Sequence, residues 1–112
     1  SRVSKLDLGN INVFREFNDV RDVCVIYRLL LEASISHQKL NICSGRQINL
    51  KQIIDIMSCI SELTIEVVQN AEFTRTNEIS HVCGDTNLLN GTIDFKWAYE
   101  IEDTLLWMFR KI

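Results

Sequence analysis

Proline is missing from all 112 residues, although an average usage of about 5% would place several. Turns must therefore be built from the four glycines, Gly9, Gly45, Gly84 and Gly91, and from the many asparagines. Basic charge is also in short supply. Twelve Lys and Arg against fifteen Asp and Glu give a net charge of −3, which leaves no cationic footprint for nucleic acid. Long apolar runs are absent as well: the densest, Val23–Leu31, is interrupted by Tyr27 and Arg28, so no membrane span is expected. No signal-peptide pattern opens the chain. The four cysteines, Cys24, Cys43, Cys59 and Cys83, form no C-x₂-C pair, and His37 and His81 are equally scattered, which excludes a recognisable zinc site. Isolated thiols in apolar surroundings fit small core residues in a reducing cytoplasm. His37 is expected in a polar loop and His81 beside a short strand, both solvated or packed.

Catalytic signatures are missing too. There is no G-x-G-x-x-G, no G-x-x-x-x-G-K-[ST], no G-x-S-x-G and no H-E-x-x-H. The pair Glu102 and Asp103 opens a helix, where capping and the helix dipole account for both. By its residues alone the chain carries no catalytic apparatus.

What remains is 46% hydrophobic and 24% charged, ordinary for a globular protein, and its length fits one domain over residues 1–112. "KLDL" (5–8) reads as a strand running into a Gly-Asn turn. "VFREF" (13–17) alternates, with Val13, Arg15 and Phe17 on one face and Phe14 and Glu16 on the other. Asp19 is placed to cap a helix, with Asp22 as a capping-box partner, and Val20, Val23, Cys24, Tyr27, Leu30 and Leu31 form an apolar stripe expected to be largely buried. "KLNIC" (39–43) reads as a strand and "SGRQ" as a turn. Asn49 then caps a second helix, with Gln52 completing the box and Leu50, Ile53, Ile54, Met57 and Ile60 inside.

"TIEVV" (64–68) is a further strand and "HVCGD" (81–85) a short one, with Asp85 able to cap a brief helix. The last helix spans Glu100–Lys111, with Ile101, Leu105, Met108, Phe109 and Ile112 aligned. The expected architecture is α/β, with mixed layers.

Two arginines stand out, Arg15 in "REFNDV" and Arg75 in "TRTNEI". Both could be plain surface charges. A planar, permanently charged guanidinium also suits bidentate phosphate contact. Glu78, three residues after Arg75, could accept ribose hydroxyls, so a nucleoside diphosphate would satisfy all three.

Four segments in order resemble the C-terminal part of extended short-chain dehydrogenase/reductases, the NAD-dependent epimerase/dehydratase family, in its GDP-mannose branch. They are "LDLGNINVFREFNDVRDV", "LNICSGRQINLKQIIDI", "TRTNEISHVCGDTNLL" and "DFKWAYEIEDTLLWMF". "FNDVRDV" and "NICSGR" resemble the GDP-4-dehydro-6-deoxymannose reductases more than the GDP-mannose 4,6-dehydratases. The resemblance implies Arg15 and Arg75 at the diphosphate of a GDP-sugar, Glu78 at the ribose, and Thr76 and Asn77 lining the same turn. It further implies NADP or NAD, bound by an N-terminal Rossmann domain that this sequence lacks. The implied reaction is reduction at C4 of GDP-4-dehydro-6-deoxymannose, with dehydratase or 4-epimerase activity as alternatives, and a non-catalytic interaction module as an alternative of another kind. Homodimerisation is left open.

Some positions depart from the family pattern. Thr76 replaces proline; Asp94, Phe95 and Trp97 replace Gly, Trp and Pro; Glu16 replaces Asp. Tyr99 has Asp103 four residues on, where a proton-transfer pair needs lysine. The fragment alone is therefore expected to be inactive.

Overall fold

A computed structural model of the chain describes residues 2–35 and 38–112. It contains β1 (Arg2–Leu8), β2 (Phe14–Arg15), α1 (Val20–Glu32), β3 (Ile48–Asn49), α2 (Leu50–Ser61), β4 (Leu63–Gln69), α3 (Asn87–Thr92) and α4 (Ile101–Arg110), with a 3₁₀ turn at Ala71–Phe73. The mixed α/β architecture is as expected. His37 lies outside the described residues.

β1 and β4 pair in parallel, from Arg2 opposite Leu63 to Leu8 opposite Gln69, and α2 leads directly into β4 and packs on it. A parallel pair requires such a crossover because a tight turn can only reverse the chain. At the junction, Glu62 takes the left-handed conformation (φ 57°) that ends α2. The second sheet is smaller: β2 runs antiparallel to β3, with Phe14 opposite Asn49 and Arg15 opposite Ile48. Segment 80–82 flanks the other side of β2. There Phe14 N donates to Ser80 O at 2.7 Å and Val82 N donates to Phe14 O at 3.1 Å. The Phe14 and His81 rings stack, with centroids 4.5 Å apart. "HVCGD" is thus a single bridge rather than a strand.

The buried apolar residues Ile11, Val13, Ile26, Cys43, Ile54 and Leu89 come from five separate segments. Asn49 and Gln52 form the expected capping box of α2. Asp85 Oδ1 accepts from Asn87 N at 2.9 Å, at the start of α3.

Four expectations need correction. Segment 39–43 forms no strand; a strand exists only where a neighbour completes its ladder, and none reaches it among the described residues. The side of α1 that is covered carries Asp22 and Ile26, whereas Val20, Cys24, Tyr27 and Leu31 face outward, because the neighbouring elements lie only on the opposite arc. Met108, Phe109 and Ile112 of the last helix are likewise exposed, and Ile101, Leu105, Leu106 and Trp107 are the half-buried positions. Of the four free thiols only Cys43 is buried. Among the described residues no helix is long and apolar enough to cross a membrane.

Candidate functional site

β2 is only two residues long, yet it has pairing partners on both sides, and this fixes the backbone that carries Arg15. The Arg15 side chain is 29% exposed. Its Nη1 donates to Phe14 O at 2.8 Å and to Ser80 O at 3.4 Å. Its Nη2 lies 4.0 Å from Glu78 Oε1. Arg15 and Glu78, 63 positions apart in the sequence, therefore lie side by side. The guanidinium is tied down by backbone carbonyls on one side and keeps donors on the other, an arrangement suited to an oxyanion. Arg75, Thr76 and Asn77 are exposed in the turn just before Glu78. Among the described residues, no hydrogen bond or ion pair joins Arg75 to Arg15 or Glu78.

The residue beside Arg15 does more than its sequence position suggests. The Glu16 carboxylate crosses to the opposite side of β2 and collects four donors: Ser44 N at 2.7 Å, Ser44 Oγ at 3.1 Å, Gly45 N at 3.2 Å and Gly84 N at 2.6 Å. Burial pushes its pKa up, but the Gly84 and Ser44 amides, the Ser44 hydroxyl and the Gly45 amide outweigh that, and the net shift is downward. The same charge, added to burial, pushes the Cys43 and Cys83 thiols up. Gly84 has to be glycine, because a Cβ there would stand 2.6 Å from Cys43 Cβ and Sγ. The only sequence clue to this hub was an acid next to the arginine.

A second cluster joins α1 to α4. Asp19 caps α1 by accepting from Arg21 N at 2.8 Å, and Arg21 Nε and Nη2 grip its two oxygens at 3.0 and 2.8 Å. Thr104 Oγ1 adds a bond to Asp19 Oδ2 at 2.6 Å. The Arg21 guanidinium carbon lies 3.7 Å from the Tyr99 ring centroid and 4.3 Å from that of Trp107, a paired cation–π contact. Asp22 does not complete a capping box at all. Its buried carboxylate accepts from Ala98 N at 3.1 and 3.2 Å and from Tyr99 N at 3.1 Å. The segment that lacks the family's Gly, Trp and Pro is thus held by Asp22, with Phe95 and Trp97 packed edge to face.

The hydrogen bond from Arg21, against some opposition from burial and with help from Thr104, lowers the Asp19 pKa from 3.8 to about 2. A depressed carboxylate stabilises the fold above its unfolded value and loses that contribution as pH falls through the folded one. Acid titration followed by Trp107 fluorescence should therefore show α4 loosening between about pH 4 and pH 2. The loss should be on the order of 1–2 kcal/mol, allowing for the solvent-facing side of Arg21. Asp19→Asn should remove this transition.

No family model matches the chain. It is 30% identical over 104 residues to the GDP-6-deoxy-D-mannose reductase of Pseudomonas aeruginosa, covering 93% of this chain and 34% of the enzyme. It is 37% identical over 87 residues to the GDP-6-deoxy-D-talose 4-dehydrogenase of Aggregatibacter actinomycetemcomitans, covering 76% of this chain and 29% of that one. The chain is related to the C-terminal third of these enzymes. The solved structure of the Pseudomonas aeruginosa protein RMD, a complex with NADPH, superposes with a TM-score of 0.82 at 29% identity, over 91% of this chain and 33% of that one. The chain thus spans about a third of the length of the relatives it matches. Its own residues do not fit a nicotinamide site: the Tyr99 ring is occupied by Arg21, and Asp103 accepts from Glu100 N at the start of α4.

Proposed function

We propose that residues 1–112 form the GDP-sugar-binding part of an enzyme that reduces GDP-4-dehydro-6-deoxymannose at C4. The observation that supports this reading is the approach of the Arg15 guanidinium to Glu78, 4.0 Å away, beside segment 80–82. Arg15 takes the diphosphate, Arg75 approaches it from the adjacent turn, Glu78 accepts the ribose hydroxyls, and Thr76 and Asn77 line the turn. A carboxylate beside the arginine is tolerable because hydroxyl donors separate it from the phosphates. The nicotinamide cofactor, NADP(H) by analogy with the Pseudomonas structure, supplies hydride from a Rossmann unit that these residues do not form. Binding energy spent on the GDP end then positions the reacting carbon at a distance.

Titration of the isotope-labelled chain with GDP and then UDP at low salt should shift the amides around Arg15 and Glu78, more strongly with GDP. Arg15→Ala or Arg75→Ala should weaken GDP binding by about 1.5–3 kcal/mol, or about 10- to 150-fold, the scale of hydrogen bonds to charged groups. Losses below about 0.5 kcal/mol for both would make them ordinary surface charges.

A further inference from the structure

α2 and α4 pack side by side, but their outer flanks leave an open groove of about 400 Å³ between them. Its floor is Ile56, Cys59, Ile60 and Leu106, and the exposed carboxylates of Asp55 and Glu102 stand on its rim. No basic side chain lines it. An apolar floor with a rim of one sign suits an apolar body that carries the opposite charge.

α4 itself carries such a body. Its first turn is acidic, with Glu102 and Asp103, and its last turn is basic, with Arg110 followed by Lys111. Leu106 lies midway on the outer side, four residues after Glu102 and four before Arg110, and Phe109 is one turn further along. Glu102, Asp103, Phe109 and Arg110 are all exposed, and Leu106 is half-buried. Leu106 also borders a second hollow of about 420 Å³, on whose edge Arg110 and the Trp107 ring stand. The ridge at Leu106 thus separates an acidic, apolar groove from a hollow with a cationic edge. The ion pairs among the described residues use none of Asp55, Glu102, Arg110 and Lys111, so these charges are free to meet another surface.

Opposite charges spaced equally about an apolar centre make a helix self-complementary. Two such helices laid antiparallel about a two-fold axis bring each acidic end against a basic one, and their dipoles oppose favourably. We infer that two copies of this chain associate through this face, with α4 antiparallel to α4 and the axis near Leu106. The acidic first turn of one copy then lies against Arg110 of the partner subunit, and the partner's Phe109 covers the apolar groove beside Glu102. Both contacts occur twice.

The test is a dilution series of the chain, followed by sedimentation equilibrium and by the methyl resonances of Ile56, Ile60 and Leu106. α4 has ten residues and is about 15 Å long. A face of that size should give a weak dimer, with a dissociation constant on the order of 10–100 μM, and the groove methyls should shift with concentration. Glu102→Arg and Arg110→Glu should each weaken association at least about fivefold, because each replaces attraction with repulsion at two equivalent places. An equimolar mixture of the two variants should associate within about threefold of the original chain, and so should the doubly substituted chain, since the axis pairs the reversed charges again. Either reversal also opposes the α4 dipole. Mixing cannot relieve that cost, so rescue reads the contact between copies and not the helix.

A chain still monomeric at about 1 mM would overturn the inference. So would a dimer whose shifts fall on the Leu31 methyls and not on those of the groove, or single variants that weaken association without rescue on mixing. A monomer whose groove methyls move only with a synthetic Leu-Lys helical peptide would assign the groove to a basic partner protein, and would overturn it as well. Dimerisation and nucleotide binding are read from different signals, so either proposal can fail without the other.

Discussion

Replacing Asp22 with alanine is expected to cost about 3 kcal/mol and to release α4 from α1, the upper part of the range for losing a buried charged hydrogen-bond acceptor. The side chain is 2% exposed and accepts from the amides of Ala98 and Tyr99. Alanine leaves both amides without this partner. Asp22→Asn keeps one acceptor oxygen and should cost about half as much. Denaturant unfolding followed separately at Trp107 and by far-ultraviolet circular dichroism checks both statements. Trp107 should report loss of the α4 contact at lower denaturant than helix loss as a whole, and unchanged stability in Asp22→Ala would contradict the assigned bonds. The second link between these helices, the Asp19–Arg21–Thr104 cluster, is too close to act independently, so double substitutions should be non-additive.

Glu16→Ala should be nearly as costly, about 2–3 kcal/mol, because it strands the amides of Ser44, Gly45 and Gly84 at once. Its effect on function should be larger than its effect on stability suggests. Glu16 joins β2 to the 43–46 turn and to the 83–85 turn, and it directly follows Arg15 in the chain. Without it, β2 keeps only its ladder with β3 and the bonds to segment 80–82, and the Arg15 guanidinium should wander from Glu78. GDP affinity should then fall in Glu16→Ala although Glu16 itself touches no phosphate. Glu16→Asp, the residue common at this position in the family it resembles, should restore most of the binding. The folded-state pKa of Glu16 is depressed, so its contribution is complete above the ordinary carboxylate value of 4.5 and is lost as pH falls through the lower folded value. Nitrogen chemical shifts of the Gly45 and Gly84 amides, recorded from pH 7 downward, should report that titration. Amides that do not move would show the carboxylate bonded elsewhere.

Local chemistry makes much of this molecule readable in its sequence. The capped starts of α1 and α2, the strand expected at 64–68 and found at Leu63–Gln69, and the closing helix all follow from short-range preferences: a side-chain oxygen that reaches a free amide, and alternating or helical apolar spacing. That Arg15 and Glu78 lie near each other was expected only from the order of four motifs, which implied one nucleotide for both, since 63 residues separate the two.

Other features depended on contacts that no local pattern encodes. Asp22 has the spacing of a capping partner, yet its carboxylate is taken by amides 76 and 77 positions away, in the segment that leads into α4. Glu16 reads in the sequence only as an acid beside the arginine, and it is a junction of three segments. The apolar stripe of α1 marks a helix, but the burial expected of it was wrong, and the strand expected at 39–43 is absent. A side chain is buried and a strand is paired only when a second surface arrives. Sequence determined which stretches of this protein seek such a surface; the tertiary structure decided which of them have found one, since packing and hydrogen bonding are satisfied between segments and not within them.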